Sequence, residues 1–518
     1  MRFACTIGAL VLSCPAFAGE PRCARCHGRE TAAFSRSAMS RSIGDPAAEP
    51  DGRVYDARAN TAAVASHRDG YLVIELKRAN LSAVYTAAYS VGAGKVGYTN
   101  LIQVGSWLYQ SPISYYAQPG PWDLSPGYES EDILDLDRPV LSGCLFCHAG
   151  SVRVKSGTQS QFEIGSLRAI SCERCHGPVE QHLARPLPGS IINPAKLPQE
   201  VRDSVCEQCH LEGEVRVLGP GKDWWDFQAG QKLEDTLITY VRDRAKSGEL
   251  RAVSQSEQLA ESRCVRESRG ALWCGSCHDP HGATQDRKAE IRRVCLSCHP
   301  ATLGSQRHAR TDDCVACHMP RLKAGNVPHT AITDHTIPRK PRGETANHDG
   351  RLQLRAWRRA IAAHAERDDG LAEFEAGAER HDWARMRQSY DLLVSYARKS
   401  PPDAPVLRAL ATILFNAGEG KRSIELFRKA CALDPKNAEM AVLLATELEK
   451  EGDRPDAILE LQTSIAIDPS FRKGYIQLAA LYAREGEERL RRNTLAQYLE
   501  FMPQSIRFRL DSAPAAAP

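Results

Sequence analysis

The C-terminal part of the chain shows a regular alternation of apolar and polar positions. From about residue 366, apolar residues recur three and four positions apart, as in the segments that begin at Ala404 and Ala438, which is the spacing of an amphipathic helix. Three features repeat every 34 residues, namely Pro401, Pro435, Pro469 and Pro503; Gly418, Gly452 and Gly486; and Leu410, Leu444 and Leu478. This period predicts stacked helical hairpins, because one hairpin buries its apolar face only against its neighbours.

A 34-residue helix-turn-helix period is the tetratricopeptide pattern. We expect about four hairpins over residues 366–505, forming an α-solenoid whose concave groove binds a protein partner. The period is clear from Asp403 to Pro503 and degenerate before it. Residues 346–365 are expected to form a linker to this domain, and residues 506–518 a flexible tail.

Residues 20–345 have a different character, because Gly and Pro punctuate them and long periodic segments are few. The segment from Tyr71 to Arg78 (YLVIELKR) alternates apolar and polar residues and is rich in β-branched side chains, which predicts a strand. With the glycine-bearing segments VGAGKVGYTN and LIQVGSWLYQ that follow, it predicts a small antiparallel β insertion. The expected fold class is mainly α, a loop-rich domain with this insertion followed by the solenoid.

The same region carries a five-residue string, Cys-x-x-Cys-His, which we call a socket and number in chain order. Seven sockets use 14 of the 18 cysteines of the chain. Their cysteines are Cys23 and Cys26, Cys144 and Cys147, Cys172 and Cys175, Cys206 and Cys209, Cys274 and Cys277, Cys295 and Cys298, and Cys314 and Cys317. The histidines that close them are His27, His148, His176, His210, His278, His299 and His318.

The spacing within a socket suits covalent haem. Two thiols three positions apart reach the vinyl groups on one porphyrin edge and form thioethers, and the following histidine binds the iron. Tetrahedral zinc would use Cys-x-x-Cys pairs two at a time and would not require a histidine after each. A thioredoxin-like pair would lie between a strand and a helix, which the pattern here does not favour. The sequence therefore predicts seven covalently attached haem c groups, which also supply the apolar interior that this region lacks.

Each iron needs a distal ligand unless it is left open for chemistry. Of the 16 histidines, seven close sockets, and His364 and His381 lie just before and within the repeat region, where surface or packing roles are expected. The candidate distal ligands are the remaining ones, His67, His182, His281, His308, His329, His335 and His348. A histidine close to a socket is expected to serve a neighbouring haem, because the short linker cannot cross the ring. His281, three residues after His278, is such a case.

Several assignments stay open at this point. His67 would also suit a turn before a strand, and His348 falls in the expected linker. Met39 and Met319 are rival distal ligands, and a methionine would raise the potential of its haem relative to two histidines. Cys264 is expected to be a buried thiol, with a thiolate ligand or a reactive group at an open haem as alternatives.

The first residues have the pattern of an export signal. A single arginine, a short apolar stretch and Ala16-Phe17-Ala18 precede Gly19, as in a cleaved secretory leader over residues 1–19. The alternative is a lipid-modified Cys14, although the residues before it form an imperfect lipobox. No later apolar run approaches the roughly 18 residues that a membrane span needs. We therefore expect a periplasmic or extracellular protein without a transmembrane span, which fits the compartment where thioether attachment takes place.

The charge balance bears on the partner class. The formal net charge is +3, and no run of five or more like charges appears, so nucleic acid is not an expected partner. Each haem adds two propionates that this count omits, and the holoprotein is therefore expected to be acidic.

The strings CERCHGPVEQH, VCEQCHLEGE, LWCGSCHDPH, CVACHMP and PHTAITDH resemble the doubled Cys-x-x-Cys-His multihaem cytochromes. This superfamily includes the tetrahaem cytochrome c of ammonia oxidisers, the pentahaem nitrite reductase and hydroxylamine oxidoreductase. The resemblance covers roughly residues 20–340 and implies stacked haem pairs, mostly with two histidine ligands, that pass electrons along a chain. The Cys-x-x-Cys-Lys string of a nitrite-reductase site does not occur, and a seven-haem count matches none of these members, so catalytic roles do not carry over.

Two functions follow from these expectations. The first is an exported heptahaem electron carrier whose repeats dock a redox partner protein. The second is a multihaem oxidoreductase that acts on a small nitrogen or sulfur species at one five-coordinate haem, left open if His67 or His348 is not a ligand. A third interpretation treats the haems as structural staples and the repeats as the functional part.

Overall fold

The computed structural model describes residues 21–117, 122–155, 158–242, 250–282, 286–300, 313–340, 352–359 and 364–512. Within these ranges the chain forms a curled antiparallel sheet, a region of short helices that carries the sockets, and a C-terminal stack of helical hairpins. No helix among these residues is both long and apolar enough to cross a lipid bilayer.

The helices of the socket region are short. They are α1 Pro21–Ala24, α2 Gly28–Phe34, α3 Ser142–His148, α4 Glu173–His176, α5 Glu180–Ala184, α6 Gln199–His210, α7 Gln255–Glu261, α8 Arg263–Ser268, α9 Cys274–Cys277, α10 Arg287–Cys298 and α11 Cys314–His318. The helices of the repeat region are longer, and they are α12 Ala365–Glu379, α13 Trp383–Lys399, α14 Ala404–Asn416, α15 Gly420–Leu433, α16 Ala438–Lys450, α17 Arg454–Ile467, α18 Arg472–Arg484, α19 Glu488–Phe501 and α20 Ile506–Asp511.

The strands form three sheets. The largest contains β1 Ile43–Gly44, β2 Gly52–Asp56, β3 Thr61–Arg68, β4 Tyr71–Arg78, β5 Leu81–Val91, β6 Gly97–Val104, β7 Trp107–Tyr116 and β8 Trp122–Leu124. The others contain β9 Val215–Leu218, β10 Leu237–Arg242 and β13 Leu354–Ala356, and β11 Arg321–Lys323 with β12 Ala331–Thr333. In the largest sheet β2 to β8 form an antiparallel meander, and β1 pairs with β5.

The β insertion is larger than the sequence predicts. The predicted strand is present as β4, where the alternate residues Leu72, Ile74 and Leu76 are fully buried. The prediction of a small insertion is wrong, because β3 and β5 add length through Ala, Ser and Thr, whose weak hydrophobic contrast hides their alternation. The sheet also curls on itself, so that Gly52 in β2 lies against the indole of Trp122 in β8, where a Cβ atom would overlap the ring.

The repeat region contains the four hairpins that the period predicts, α12 with α13, α14 with α15, α16 with α17 and α18 with α19. Polar caps set where helices begin, since the Asp403 carboxylate accepts from the backbone of α14 and the Asn437 side chain does the same for α16. In the turns within three hairpins, Gly418, Gly452 and Gly486 have φ of 80°, 89° and 77°, a left-handed conformation that glycine adopts at little cost.

Two predicted boundaries of this region need correction. The predicted flexible tail begins too early, since residues 506–511 form α20, in which Ile506 and Phe508 are buried. The ring of Phe508 stacks on that of Tyr498 with centres 3.8 Å apart. The predicted linker over 346–365 is also wrong in part, because Leu354–Ala356 pairs with β10 as a strand. Both segments are too short to show a period of their own.

The last hairpin and α20 pack against the large sheet. The backbone N–H of Val84 donates to the Oε1 atom of Gln504 at 2.6 Å, and the Nε2 atom of Gln504 donates to the carbonyl oxygen of Val84 at 2.8 Å. The Trp107 indole donates to Asp468 at 3.0 Å and meets the Phe501 ring edge-on at 5.0 Å. One continuous apolar core therefore joins the sheet to the repeats.

The first hairpin contacts the three-stranded sheet that follows socket 4. Val215 and Val217 of β9 share an apolar cluster with Leu371 and Phe374 of α12. The Tyr240 hydroxyl donates to Asp369 at 2.7 Å. The repeat domain thus contacts the rest of the protein at both of its ends.

Candidate haem sites

Each described socket is a single helical turn. The backbone N–H of the socket histidine donates to the carbonyl of the first cysteine at 2.9 to 3.0 Å in sockets 1, 3, 5 and 6, where the histidines are His27, His176, His278 and His299. A turn of this kind places residues three apart on one face. The two thiols therefore point to the same side, with the imidazole beside them, as thioether attachment requires.

Among the described residues, three socket histidines face a second histidine ring. The ring centres lie 6.0 to 6.3 Å apart in these pairs, which are His27 with His182, His176 with His281, and His278 with His335. An imidazole nitrogen binds a metal at about 2.0 Å and the ring centre lies about 1.1 Å behind it, so two rings on opposite sides of one metal are about 6.2 Å apart. The observed spacing fits one iron between each pair.

Hydrogen bonds fix which nitrogen these rings present. The Nδ1 atom lies 2.7 to 2.9 Å from a backbone carbonyl oxygen in three cases, which are His176 with Ile192, His318 with Pro338 and His335 with Thr333. In His182 the Nδ1 atom lies 2.9 Å from the Ser190 hydroxyl. Because a carbonyl only accepts, Nδ1 carries the proton and the Nε2 lone pair is available to a metal. This is the second contact that metal-bound histidines usually make.

Burial favours the neutral form of four socket histidines and of one candidate distal histidine. Burial lowers the pKa of His148, His176, His210, His278 and His335. These residues are exposed or half-buried as a whole, while the protein atoms around them exclude part of the water and disfavour the charged form. Neutral imidazole is the form that binds iron. Ring spacing, tautomer and charge state therefore all fit haem.

Each socket interacts with at least one other socket. Side-chain hydrogen bonds join a sulfur of one socket to a sulfur of another in three cases. These pairs are Cys147 with Cys209 (sockets 2 and 4), Cys206 with Cys274 (sockets 4 and 5), and Cys295 with Cys314 (sockets 6 and 7). Electrostatic interactions join sockets 1 and 3, 3 and 4, and 5 and 6, through the pairs His27 with His176, Cys175 with Cys206, and Cys277 with Cys295. All seven sockets therefore form one connected group.

Aromatic residues pack together at socket 2. The Phe146 ring, between the two cysteines of that socket, lies 5.7 Å from Trp224 and 5.9 Å from Trp225. The Trp225 indole donates to Ser142 at 3.0 Å, which anchors the tryptophan loop on α3. Two adjacent tryptophans in the long gap between sockets 4 and 5 are expected to pack at a haem edge, and the structure places them beside a socket.

Two candidate distal histidines have other partners. The Nδ1 atom of His67 lies 2.7 Å from Asp51 and its Nε2 atom 3.0 Å from the Ala47 carbonyl, so both nitrogens are engaged within the sheet region. His67 as an iron ligand stays a prediction, and iron binding would require one of its ring nitrogens to leave its partner. The Nε2 atom of His329 lies 2.5 Å from the Asp123 carboxylate. Its Nδ1 atom has no hydrogen-bond partner among the described residues.

The remaining candidates occupy separate places. His308 and His348 lie outside the described residues. Met39 begins a 3-10 turn, Met39–Arg41, and Met319 directly follows α11. The Cys264 thiol in α8 interacts electrostatically with the sulfurs of sockets 5 and 6, so it lies near haem attachment sites.

Two functional candidates escaped the sequence analysis. Arg174 lies between the two cysteines of socket 3, and Arg216 lies in β9. The Arg216 guanidinium group contacts the sulfur of Cys147 in socket 2, and the Arg174 guanidinium group hydrogen-bonds with the sulfur of Cys209 in socket 4. The sequence gives no signal for this contact, since it depends on how three separate segments meet.

Two family models match the sequence. A model described as the doubled CXXCH motif matches residues 267–303, and one described as cytochrome c554 and c-prime matches residues 128–177. Together these matches cover sockets 2, 3, 5 and 6.

Curated relatives are multihaem proteins as well. The chain is 29% identical over 178 residues to "Multiheme cytochrome MtrA" of Shewanella baltica, covering 31% of this chain and 53% of the relative. It is 29% identical over 160 residues to "Cytochrome c-552" of Bacteroides thetaiotaomicron, covering 25% of this chain and 31% of the relative. The chain thus spans about half or less of the length of these relatives.

The chain is also similar to parts of several solved structures. They include MamA, at 18% identity and a TM-score of 0.24 over 27% of this chain and 82% of that chain. They also include YrrB, "a TPR protein with an unusual peptide-binding site", at 16% identity and a TM-score of 0.25 over 29% of this chain and 74% of that chain. The repeat assignment is carried by the 34-residue period and the hairpins themselves. With its sockets, its family matches and its hairpin stack, the chain is a multihaem c-type cytochrome with a C-terminal tetratricopeptide repeat domain.

Proposed function

We propose that the protein is an exported heptahaem electron carrier. Each haem, when bound, supplies an iron that accepts or gives one electron. The contribution of the chain is to hold seven such groups close together and to set their potentials. The observation that supports the proposal is the connected group of sockets, because sockets that interact with one another leave short distances for electron transfer.

The order of contacts differs from the order in sequence. Socket 1 adjoins socket 3, socket 3 adjoins socket 4, and socket 4 contacts both socket 2 and socket 5. Socket 5 leads to socket 6 and socket 6 to socket 7. We infer a path from socket 1 to socket 7 with socket 2 as a branch at socket 4.

Axial ligands follow from the paired rings. We assign His182 to the haem of His27, His281 to the haem of His176, and His335 to the haem of His278. The assignment of His281 agrees with the expectation that a histidine close to a socket serves a neighbour. His308, His329 and His348 stay candidates for the other haems.

Haem content is the direct test of this proposal. A pyridine haemochrome assay combined with intact mass is expected to give seven haems for each polypeptide, all covalently bound. A count of five or fewer would overturn the heptahaem assignment. A mass equal to that of the polypeptide alone, or of a zinc-loaded polypeptide, would overturn the haem assignment altogether.

The exposed part of the repeat groove is the proposed docking site for a redox partner protein. Stacked tetratricopeptide hairpins present a concave surface of this kind. Both ends of the solenoid contact the cytochrome part, so a bound partner would be held against the electron carrier. Pull-down with the holoprotein and with a variant altered in exposed groove residues tests whether the groove recruits a cytochrome or reductase.

A second candidate is a multihaem oxidoreductase that converts a small nitrogen or sulfur species at an open haem. It is favoured by His67, whose ring nitrogens are both engaged by Asp51 and Ala47. Without His67, six candidate histidines remain for seven sockets. Carbon monoxide or nitrite should then perturb the spectrum of one high-spin haem, and a wholly low-spin spectrum would remove this candidate.

A further inference from the structure

Two arginines meet at the contact between sockets 2 and 4. Arg174 interacts with the sulfur of Cys209 through a side-chain hydrogen bond, and the Nη1 atom of Arg216 lies 3.5 Å from the sulfur of Cys147. These two sulfurs are themselves in contact. Two cationic groups therefore flank the point where two haem attachment sites touch.

The surrounding protein holds both guanidinium groups in place. Arg174 lies over the rings of Phe146 and Trp225, at 4.4 and 4.9 Å from their centres, and donates to the Phe146 carbonyl at 2.6 Å. Arg216 donates to the carbonyl oxygens of Gln208, at 3.0 Å, and Glu207, at 3.2 Å. Carbonyl and aromatic contacts orient a guanidinium group without neutralising its positive charge.

Neither arginine has a carboxylate partner among the described residues. The Nε atoms of both are buried without a hydrogen-bond partner in that part of the chain. Glu212 interacts with Arg216 at longer range only, and it interacts with Arg251 as well. Two positive charges thus stay largely uncompensated in a poorly solvated place, where electrostatic effects are strong.

The contact between sockets 4 and 5 provides a contrast. Asp203 and Glu207 act on the sulfurs there, and both carboxylates are paired. Asp203 lies 3.0 Å from Arg202, and Arg358 contacts Glu207 through two hydrogen bonds of 2.5 and 3.0 Å. Charges at this contact are balanced, whereas those between sockets 2 and 4 are not.

We propose that Arg174 and Arg216 raise the reduction potentials of the haems at sockets 2 and 4, so that electrons collect on this pair. Reduction lowers the positive charge at the iron, and fixed cations nearby favour the reduced state. The inference rests on the proposed electron-carrier function. It assigns the branch of the path, rather than either end, as the place where electrons reside at equilibrium.

The test compares reduction potentials in the fully loaded holoprotein. Spectroelectrochemical titration of the Arg174→Gln and Arg216→Gln variants should move the two highest-potential components of the wild-type curve to lower potential. Arg216→Lys keeps the charge and should retain most of the wild-type curve. Arg153→Gln, which removes an exposed arginine beside Glu163, serves as the matched control and should leave the curve unchanged.

Failure of this inference is distinct from failure of the electron-carrier function. If both Gln variants hold seven haems and their titration curves superimpose on the wild type, the potential-setting role is wrong while the carrier function stands. If Arg216→Lys shifts the curve as far as Arg216→Gln does, the effect comes from lost packing and the proposal is again overturned. Should a Gln variant lose haem, the Lys variant decides the question.

Discussion

The socket helices and the repeat helices differ in how many of their own side chains are buried. In α14 seven residues are buried, among them Val406, Leu410 and Ile413. In α9, α10 and α11, which carry sockets 5 to 7, none of the residues is buried. Aliphatic side chains therefore form the core of the repeats, whereas the socket region needs a bound group to supply apolar contact. The comparison teaches that one chain can hold a self-sufficient domain beside one that depends on its cofactor.

The largest expected effect separates these regions by removing haem. When the chain is produced in cells that lack cytochrome c maturation, α9 to α11 should exchange amide hydrogens at close to unfolded rates, while α14 to α19 stay protected. Hydrogen exchange with mass spectrometry on the full chain measures both in one sample. Equal protection of α10 in haem-free and haem-loaded protein would contradict the dependence.

The next effect concerns a single haem. His281→Ala removes the ring that faces His176 at 6.0 Å, so one of the haems should become high-spin and bind carbon monoxide after reduction. Electronic absorption and electron paramagnetic resonance spectra measure this change. His381→Ala and His67→Ala are the controls, and both should keep the wild-type spin state. A high-spin signal in His67→Ala would show that His67 is a ligand.

A matched pair of core deletions sharpens the comparison further. Phe427 in α15 is 2% exposed, and Phe427→Ala should lower the free energy of unfolding of the repeat domain by about 3 to 5 kcal/mol. Leu296 in α10 is half-buried, and Leu296→Ala should cost under about 1 kcal/mol. Denaturant titration of the holoprotein by circular dichroism compares them. Similar costs would show that the socket helices have a conventional core after all.

The smallest effect tests a buried carboxyl group beside the sheet. Burial raises the pKa of Glu49, and its Oε1 atom has no partner among the described residues. A raised folded-state pKa means that the native state binds the proton more tightly, so stability falls as pH rises from the ordinary value of 4.5 through the folded pKa. Glu49→Gln should remove this decline and add about 1 kcal/mol of stability at pH 7.

The control for this variant is an exposed carboxylate. Glu163→Gln changes the exposed pair with Arg153 and should leave the pH dependence as it is. If Glu49→Gln is less stable than the wild type at pH 7, the carboxylate is ionised and well paired, and the interpretation of its burial is wrong.

Strong periodic signals made the repeats and the sockets predictable. The 34-residue period gives the hairpins, and the alternation in Tyr71–Arg78 gives one strand. The sequence does not predict the size of the sheet, because strands such as Thr61–Arg68 are built from small residues that are buried without a strong hydrophobic contrast. It does not predict the helix at Ile506–Asp511 either, because this helix is short and is held by contacts with a distant strand.

Contacts between segments set the limit for the site. The sequence predicts the histidines that could serve as ligands, yet only the structure shows that His281 faces His176 and that His67 is engaged by Asp51. In the sequence, Arg174 is one of the two unspecified residues between the cysteines of socket 3. Its contact with Cys209 appears only when sockets 3 and 4 come together, and no local spacing encodes that approach.

The most direct test of the connected path is flash photoreduction of the oxidised holoprotein with less than one electron for each molecule. If the sockets form one path, the electron first reduces exposed haems and then moves to the haems of highest potential in a first-order phase. The rate of that phase should not depend on protein concentration. A redistribution rate that rises in proportion to protein concentration would show transfer between molecules, and would contradict a continuous path within one chain.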